Sequence, residues 1–408
     1  MIYIKENKNN DRVRCLYLML VIYPLNNMLS TLFSLNNENH NILLIMYFIV
    51  LLYGLYVIIR YSFTKKDIFA ILFIYLLYGI LYLLSTNSGK IEMCSTYMRL
   101  IYIYFIPLSV IIISHIEDLS ELFTNRYVLI SDFIIFLSLI CKLFLKDNTD
   151  YMDFSYDLLP LWGIITISAI YYEKNIQKLI VCIIFFEALI FGCRGALIWL
   201  ISCGLLVYLF KTLYSKDLKK LKKTLVILPF FIFTVIGTMI KVVPKLLSSR
   251  YASSSYILTR LTMGNLSESN ARSKIIQICL ENLKHMGFNI NGLFYDRSIL
   301  PNGMYTHNIL IEIYLSLGWI IGTIFILFII KIILSAFKKQ SLEGKAILIY
   351  FMSVLFFRYF ISGSIFGEGK FIIFLSSCIA LKKNYIKSEL FNKLRRKSNK
   401  SVIRRRRY

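Results

Sequence analysis

The sequence predicts an all-α, polytopic membrane protein with about twelve transmembrane helices and one large extracytoplasmic loop. Three observations carry that prediction. Of the 408 residues, 57% are hydrophobic and 15% aromatic, and the mean hydropathy is positive, too apolar for a core enclosed in a polar shell. Apolar runs near the length that crosses a bilayer, about 20 residues, recur along the whole chain. Only one polar interval of real length interrupts them, from Lys241 to Asn308. The chain therefore divides into N-terminal membrane helices (1–240, about nine spans), the loop (241–308), C-terminal membrane helices (309–382) and a basic tail (383–408).

In order, Met1 to Arg14 is polar and basic (Lys5, Lys8, Arg12, Arg14) and precedes an apolar run from Cys15 to Phe33 that has no small-residue cleavage site. It reads as a retained signal anchor with its N-terminus inside. Further spans are expected at 41–59, 68–84, 97–114, 127–145, 158–172, 179–192, 195–210, 224–243, 309–335, 346–362 and 371–381. Orientation follows from the bases in alternate connections. One set holds Arg60, Lys65, Lys66, Arg126, Lys174, Lys178, the run Lys211 to Lys223, Lys338, Lys339, Lys345 and the tail ending Arg404-Arg405-Arg406-Arg407. In the other set 34–40 has no base, 85–96 has only Lys90, and 146–157 has only Lys146. Both termini are then cytoplasmic, and the Lys241–Asn308 loop and the turn Gly192-Cys193-Arg194-Gly195 share the outer face.

The net charge of +24 follows this asymmetry and forms no nucleic-acid motif, so nucleic acid is excluded as a partner and the tail is read as meeting anionic lipid. The eight cysteines lie mostly in apolar runs without a C-x-x-C pair, and the four histidines lack metal-ligand spacing. No metal and no cofactor are expected. Among ionisable residues inside spans, Lys142 and Lys331 can snorkel, whereas Arg99, Glu187 and Arg358 should face a cavity or pair with one another. Glu187 and Arg194 stand two helical turns apart and would form one polar stripe. Structural pairing is the alternative to a substrate role for these charges.

The loop opens basic and serine-rich, with Arg250, Ser253-Ser254-Ser255 and Arg260. Ser269 or Asn270 can then cap a helix whose apolar stripe is Ile276, Cys279, Leu280 and Leu283. Arg272 sits in its first turn, where the dipole disfavours a cation, so another interaction should hold it there. A return through His285, Gly287, Asn289, Asn291, Gly292, Asn302 and Gly303 reaches Met304-Tyr305-Thr306-His307-Asn308. Thr306 can cap a helix starting at His307, whose imidazole would lie at the positive end of the dipole, neutral and beside an anion-binding helix start. The bland alternative is a histidine satisfied at a membrane interface.

Three segments resemble the superfamily of bacterial O-antigen polymerases and O-antigen ligases. They are His307-Asn308 followed by an apolar helix with Gly318 and Gly322; Cys193-Arg194-Gly195-Ala196-Leu197; and Arg272 leading an amphipathic helix into Gly287. Cys193 stands where the family has serine, and Met286 replaces the proline common before the glycine turn. The resemblance implies a GT-C-like glycosyltransferase architecture in the bacterial cytoplasmic (inner) membrane. It further implies a polymerase that joins undecaprenyl-diphosphate-linked oligosaccharide repeat units into O-antigen or capsular polysaccharide on the outer face, by metal-independent inverting transfer.

In that reading His307 is the general base, Arg194 and Arg272 clamp the diphosphate, and Arg250 and Arg260 stand behind them. Asn308, Glu312, Arg358 and Glu368 are further site residues, Glu312 and Glu368 as alternative bases. The implied partners are the lipid bilayer, a chain-length regulator and a flippase. A ligase would use the same donor. From another class, a lipid-linked oligosaccharide flippase or transporter also has about twelve spans and intramembrane charges, but here no internal duplication is visible and one outer loop dominates. A structural scaffold gives no reason to gather arginines and a histidine on one face.

Overall fold

The structure is a computed structural model that describes residues 2–32, 41–61, 63–144, 150–214, 270–338 and 340–384. Among the described residues all regular structure is helical and no strand occurs. Seven helical stretches are long and apolar enough to cross a membrane: Lys8–Leu32, Ile42–Tyr61, Lys65–Leu84, Met98–His115, Asn125–Phe144, Arg194–Tyr214 and Ile309–Phe337. The other runs expected from the sequence also fall on helices, apart from 224–243, which lies outside the described residues.

The bundle is ordered by what each helix hides. α1 (Ile2–Leu32), α2 (Asn41–Tyr61), α3 (Lys65–Leu84), the short α4 (Asn87–Met93) and α5 (Thr96–Leu100), α6 (Ile106–Ile111), α7 (Asn125–Phe144) and α8 (Tyr151–Ile170) form the first part. α9 (Asn175–Phe191), α10 (Arg194–Tyr214), α11 (Asn270–His285), α12 (Asp296–Ile299), α13 (Ile309–Phe337), α14 (Leu342–Phe351) and a closing helix α15 at 369–384 complete it. α8 is the hub, in contact with α1, α7, α9, α10 and α14. It is apolar on all sides and buried almost throughout, with Leu159, Leu161, Trp162, Ile164 and Ile165 fully enclosed. At Gly163 the missing side chain admits Tyr350 and Val354, to which an added Cβ would come within 2.7 Å. Small residues serve membrane helices in this way.

α3 is the opposite case. Phe69, Leu72, Phe73, Leu76 and Leu83 are all exposed, and only 6% of its most apolar window is buried inside the protein. So much uncovered apolar surface needs a lipid solvent. The chain is therefore a membrane protein.

Three apolar runs are not simple helices. The 97–114 run passes through a π-helical turn, Ile101–Phe105, before α6. The 346–362 run is α14 followed by a π-helical turn, Met352–Phe356, and a 3-10 turn, Phe357–Phe360. α13 is broken at Gly318 (φ 72°, ψ 175°).

The connections gather at two ends. At one end His115 meets Asp67 (2.8 Å), Lys211 meets Glu173 (2.6 Å), Tyr172 donates to Glu343 (2.7 Å) and Lys383 donates to the Ser114 carbonyl (3.1 Å). At the other end Lys370 meets Asp157 (2.9 Å), the Cys193 N–H donates to Ser155 Oγ (2.9 Å), and Ser85 Oγ donates to the Leu293 carbonyl (3.4 Å). Segments assigned to one side by their bases thus share one end.

The intramembrane charges, expected to face a cavity or to pair with one another, bond to other groups. Arg99 is exposed and its Nε donates to the Cys94 carbonyl (3.1 Å), Glu187 accepts from Trp162 Nε1 (3.1 Å), and Arg358 pairs with Glu368 (2.9 Å). Nor do Glu187 and Arg194 share a stripe. α9 ends at Phe191, and Gly192 and Cys193 turn the chain before Arg194 opens α10.

Candidate functional site

The break at Gly318 positions the loop that carries His307. Its φ of 72° with ψ of 175° is a region open essentially to glycine alone. An added Cβ would stand 2.6 Å from the Asn289 carbonyl oxygen, so the loop packs directly on this backbone. Helix breaks free carbonyls that water or protein must satisfy. Here Asn291 does so, its side-chain amide donating to the Leu315 carbonyl (3.3 Å) and its backbone N–H to that of Ser316 (3.2 Å).

α11 lies over the same half-helix with Ile275, Cys279, Leu283 and Met286 buried against Leu300, Ile311 and Leu315. The expected stripe is corrected by one residue in its first half. Ile275 is buried where Ile276 is only partly covered, and Leu280 is 46% exposed.

His307 is not the first residue of a helix, and Thr306 is not its N-cap. α13 starts at Ile309, and Asn308 caps it, Oδ1 accepting from the N–H groups of Leu310 (3.0 Å) and Ile311 (3.3 Å). Asn308 therefore has a structural task that occupies its side-chain oxygen. Thr306 is buried, its N–H donates to Asp296 Oδ2 (3.1 Å), and its hydroxyl donates to the Asn308 carbonyl (3.1 Å).

Between these two fixed neighbours His307 adopts a φ of 55°, a left-handed conformation that costs a non-glycine residue about 1–2 kcal/mol. The strain turns the imidazole against Tyr305, ring centroids 4.0 Å apart, and leaves Nδ1 buried with no partner among the described residues. Burial, and then the charges of Arg272 and Arg297, push the imidazole pKa down from 6.5 to about 4. The neutral form expected from the sequence thus has two arginines behind it, in place of a helix start.

Arg297 and Asp296 carry no role in the sequence reading, yet they build the floor of this corner. Arg297 Nη1 donates to Asp296 Oδ2 (2.8 Å), and its guanidinium lies 5.1 Å from the centroid of the Tyr305 ring. Asp296 is fully buried, and its Oδ1 has no hydrogen-bond partner among the described residues; burial raises its pKa, against the opposing pull of Arg297 and the Thr306 N–H.

The remaining site residues meet around Tyr156, near the start of α8. The Arg358 guanidinium carbon lies 4.5 Å from its ring centroid, and the ring feels the charge of Arg272. Its hydroxyl occupies the space that a Cβ on Gly195 would take, beside half-buried Arg194. Cys193 caps α10: the Ala196 N–H donates to its Sγ (3.4 Å), which is the task a serine performs at that position. Glu312 lies one turn into α13, buried, accepting from the Ser364 hydroxyl and from the Ile365 N–H (2.9 Å). It fastens the 362–367 turn. Glu368 accepts from Arg358 Nη2 (2.9 Å), and Lys370 reaches the Tyr156 carbonyl (3.2 Å) as well as Asp157.

His307, Arg272, Arg194, Arg358 and Glu368 thus occupy one end of the bundle, linked through Tyr156 and Arg297. Arg250 and Arg260 lie outside the described residues. Compared with models of known protein families, with curated proteins and with solved structures, the chain matches none.

Proposed function

We propose that the protein is a membrane glycosyltransferase that joins polyprenyl-diphosphate-linked oligosaccharide repeat units into O-antigen or capsular polysaccharide. The supporting observation is the setting of His307: a neutral imidazole with a buried, unpartnered Nδ1, held in a left-handed turn within electrostatic reach of Arg272 and Arg297. The acceptor sugar hydroxyl attacks the anomeric carbon of the donor on the face opposite the diphosphate. A carbon–oxygen bond forms there, the bond to the diphosphate oxygen breaks, and the configuration inverts. His307 takes the hydroxyl proton, and Arg272 and Arg194 receive the charge that develops on the polyprenyl diphosphate leaving group.

An imidazole of pKa about 4 is a weak base in the empty site. A bound diphosphate offsets the charges of Arg272 and Arg297, and with that field reduced the imidazole gains basicity when the substrate is in place.

In the proposed setting the site lies on the outer face of the bacterial cytoplasmic membrane, both termini are cytoplasmic, and a flippase and a chain-length regulator act alongside. The test is to reconstitute the protein in lipid nanodiscs with a lipid-linked repeat unit and separate the products by size. A ladder of longer lipid-linked glycans is the expected result. Single transfer to a different acceptor would make it a ligase, and no transfer to any sugar acceptor would refute the enzyme reading.

One observation favours a second reading. Helices interrupted at Gly318 and by π turns at 101–105 and 352–356 are also the hardware of transporters. Movement of the lipid-linked oligosaccharide across proteoliposomes without elongation would select it.

A further inference from the structure

Arg358 stands apart from the other arginines of the site in what it lacks. It is 7% exposed, at the 3-10 turn where the α14 run ends. One nitrogen, Nη2, is committed to Glu368, and the guanidinium face is stacked on Tyr156, with Tyr359 at 5.6 Å. Nε–H and the Nη1 amino group are buried and have no partner among the described residues. Donors on a buried cation are costly to leave unmade, more so than on any neutral group. A purely structural ion pair would turn a second donor toward the carboxylate. Here Gly363, with φ of 89°, brings the turn so near that an added Cβ would stand 3.3 Å from Nη2 and press on the Glu368 carboxylate. The pair is therefore held at one corner of the guanidinium while the remaining donors stay without a partner among the described residues.

We propose that Arg358 binds the donor's diphosphate, its Nε–H and Nη1 groups taking phosphate oxygens while Glu368 and Tyr156 hold the guanidinium in place. This rests on the function proposed above and names the inner arm of the anion site, a part that the arginines of the polar loop do not supply. The step is recognition alone, with no bond made or broken at Arg358.

The test uses inorganic pyrophosphate as the probe, titrated calorimetrically against the purified full chain in nanodiscs at fixed ionic strength, with inorganic phosphate and glucuronate alongside. Wild type and Arg126→Ala, an exposed arginine at the opposite end, should bind pyrophosphate alike. Arg358→Gln should weaken binding by about tenfold or more, the loss of a charge-assisted pair of hydrogen bonds. Arg358→Lys, which keeps the charge but not the planar donor set, should fall between and serves where the glutamine variant does not fold. Equal affinity in wild type and both Arg358 variants would overturn the proposal, as would no pyrophosphate binding by wild type, or glucuronate binding more tightly than pyrophosphate. The two ideas fail separately. Pyrophosphate binding lost in Arg358→Gln while wild type makes no glycan ladder removes the polymerase reading and leaves the anion site. A ladder made equally by wild type and Arg358→Gln does the reverse.

Discussion

Replacing His307 by glutamine separates a proton acceptor from a strained loop residue. Glutamine retains hydrogen bonding and much of the volume but accepts no proton near neutrality, so turnover should fall by about a hundredfold to ten-thousandfold while donor binding is kept. The structure also sets the pH behaviour. In the empty site the imidazole pKa is about 4, with burial the largest cause and Arg272 and Arg297 behind it. Lowering the pH protonates the base and stops the reaction, so kcat/KM, which reports the free enzyme, should fall along an acidic limb near pH 4. The bound diphosphate offsets the two arginines but not the burial, so kcat, which reports the loaded enzyme, should show the same limb displaced upward by the part of the shift that the arginines cause. A diphosphate esterified at both ends has no proton of its own that titrates near neutrality, so the donor does not mimic this limb. The assay is initial elongation rate in nanodiscs between about pH 4 and 8, at saturating and limiting donor. Glutamine variants that retain more than about a tenth of the rate, or that keep both limbs, would refute the assignment.

The same depressed pKa makes a stability prediction. The unfolded imidazole binds a proton that the folded one refuses, so stability should be lost as pH falls from 6.5 toward about 4, and His307→Gln should flatten that loss in a thermal melt. Gly318→Ala places a side chain in backbone territory reserved for glycine and 2.6 Å from the Asn289 carbonyl. It should destabilise the loop by at least about 2 kcal/mol, seen as a lower melting midpoint and lost protection of 286–308 in hydrogen exchange. Asn308→Ala should cost about 1 kcal/mol through the lost cap, and Asn308→Asp, which can still cap, should not; equal melting of all three proteins would show that the cap is idle.

Hydropathy made the outer helices legible because α2 and α3 face lipid on most sides, and composition alone reports that. It could not show that α8 is the hub, since the burial of Tyr151–Ile170 comes from neighbours far away in sequence. The phase of α11 was lost for a local reason. Ile275-Ile276 and Cys279-Leu280 are adjacent apolar pairs, so two faces one residue apart fit the same spacing, and only packing against Ile311 and Leu315 chooses between them. His307, Arg272 and Arg194 stood out because they are polar landmarks next to helix ends. Asp296 and Arg297 were not singled out in the sequence, although an adjacent Asp-Arg amid apolar Phe294, Tyr295, Ile299 and Leu300 is a usable sign of burial. Tyr156, one of 29 tyrosines, gave no sign at all.

The break in α13 also changes where the membrane begins. Read as one apolar run, Ile309–Phe337 has 29 residues, more than the about 20 that a span requires. The stretch after Gly318, from Trp319 to Phe337, is about 28 Å long at 1.5 Å per residue, and by itself matches a hydrocarbon core of about 30 Å. Trp319, 41% exposed, stands where an interfacial aromatic belongs. The half-helix before Gly318 then lies with the loop, its end carbonyls satisfied by Asn291 and its start capped by Asn308. His307 precedes this half-helix and so lies outside the stretch from Trp319 to Phe337. Under the function proposed above, a polyprenyl anchor would hold the donor diphosphate at the membrane surface, so a site outside that stretch would meet the leaving group without drawing charge into the hydrocarbon. The glycines at 192, 318 and 363 each stand next to a candidate feature: Arg194 opens the helix after the first, the loop that carries His307 packs on the second, and the Glu368 carboxylate borders the third.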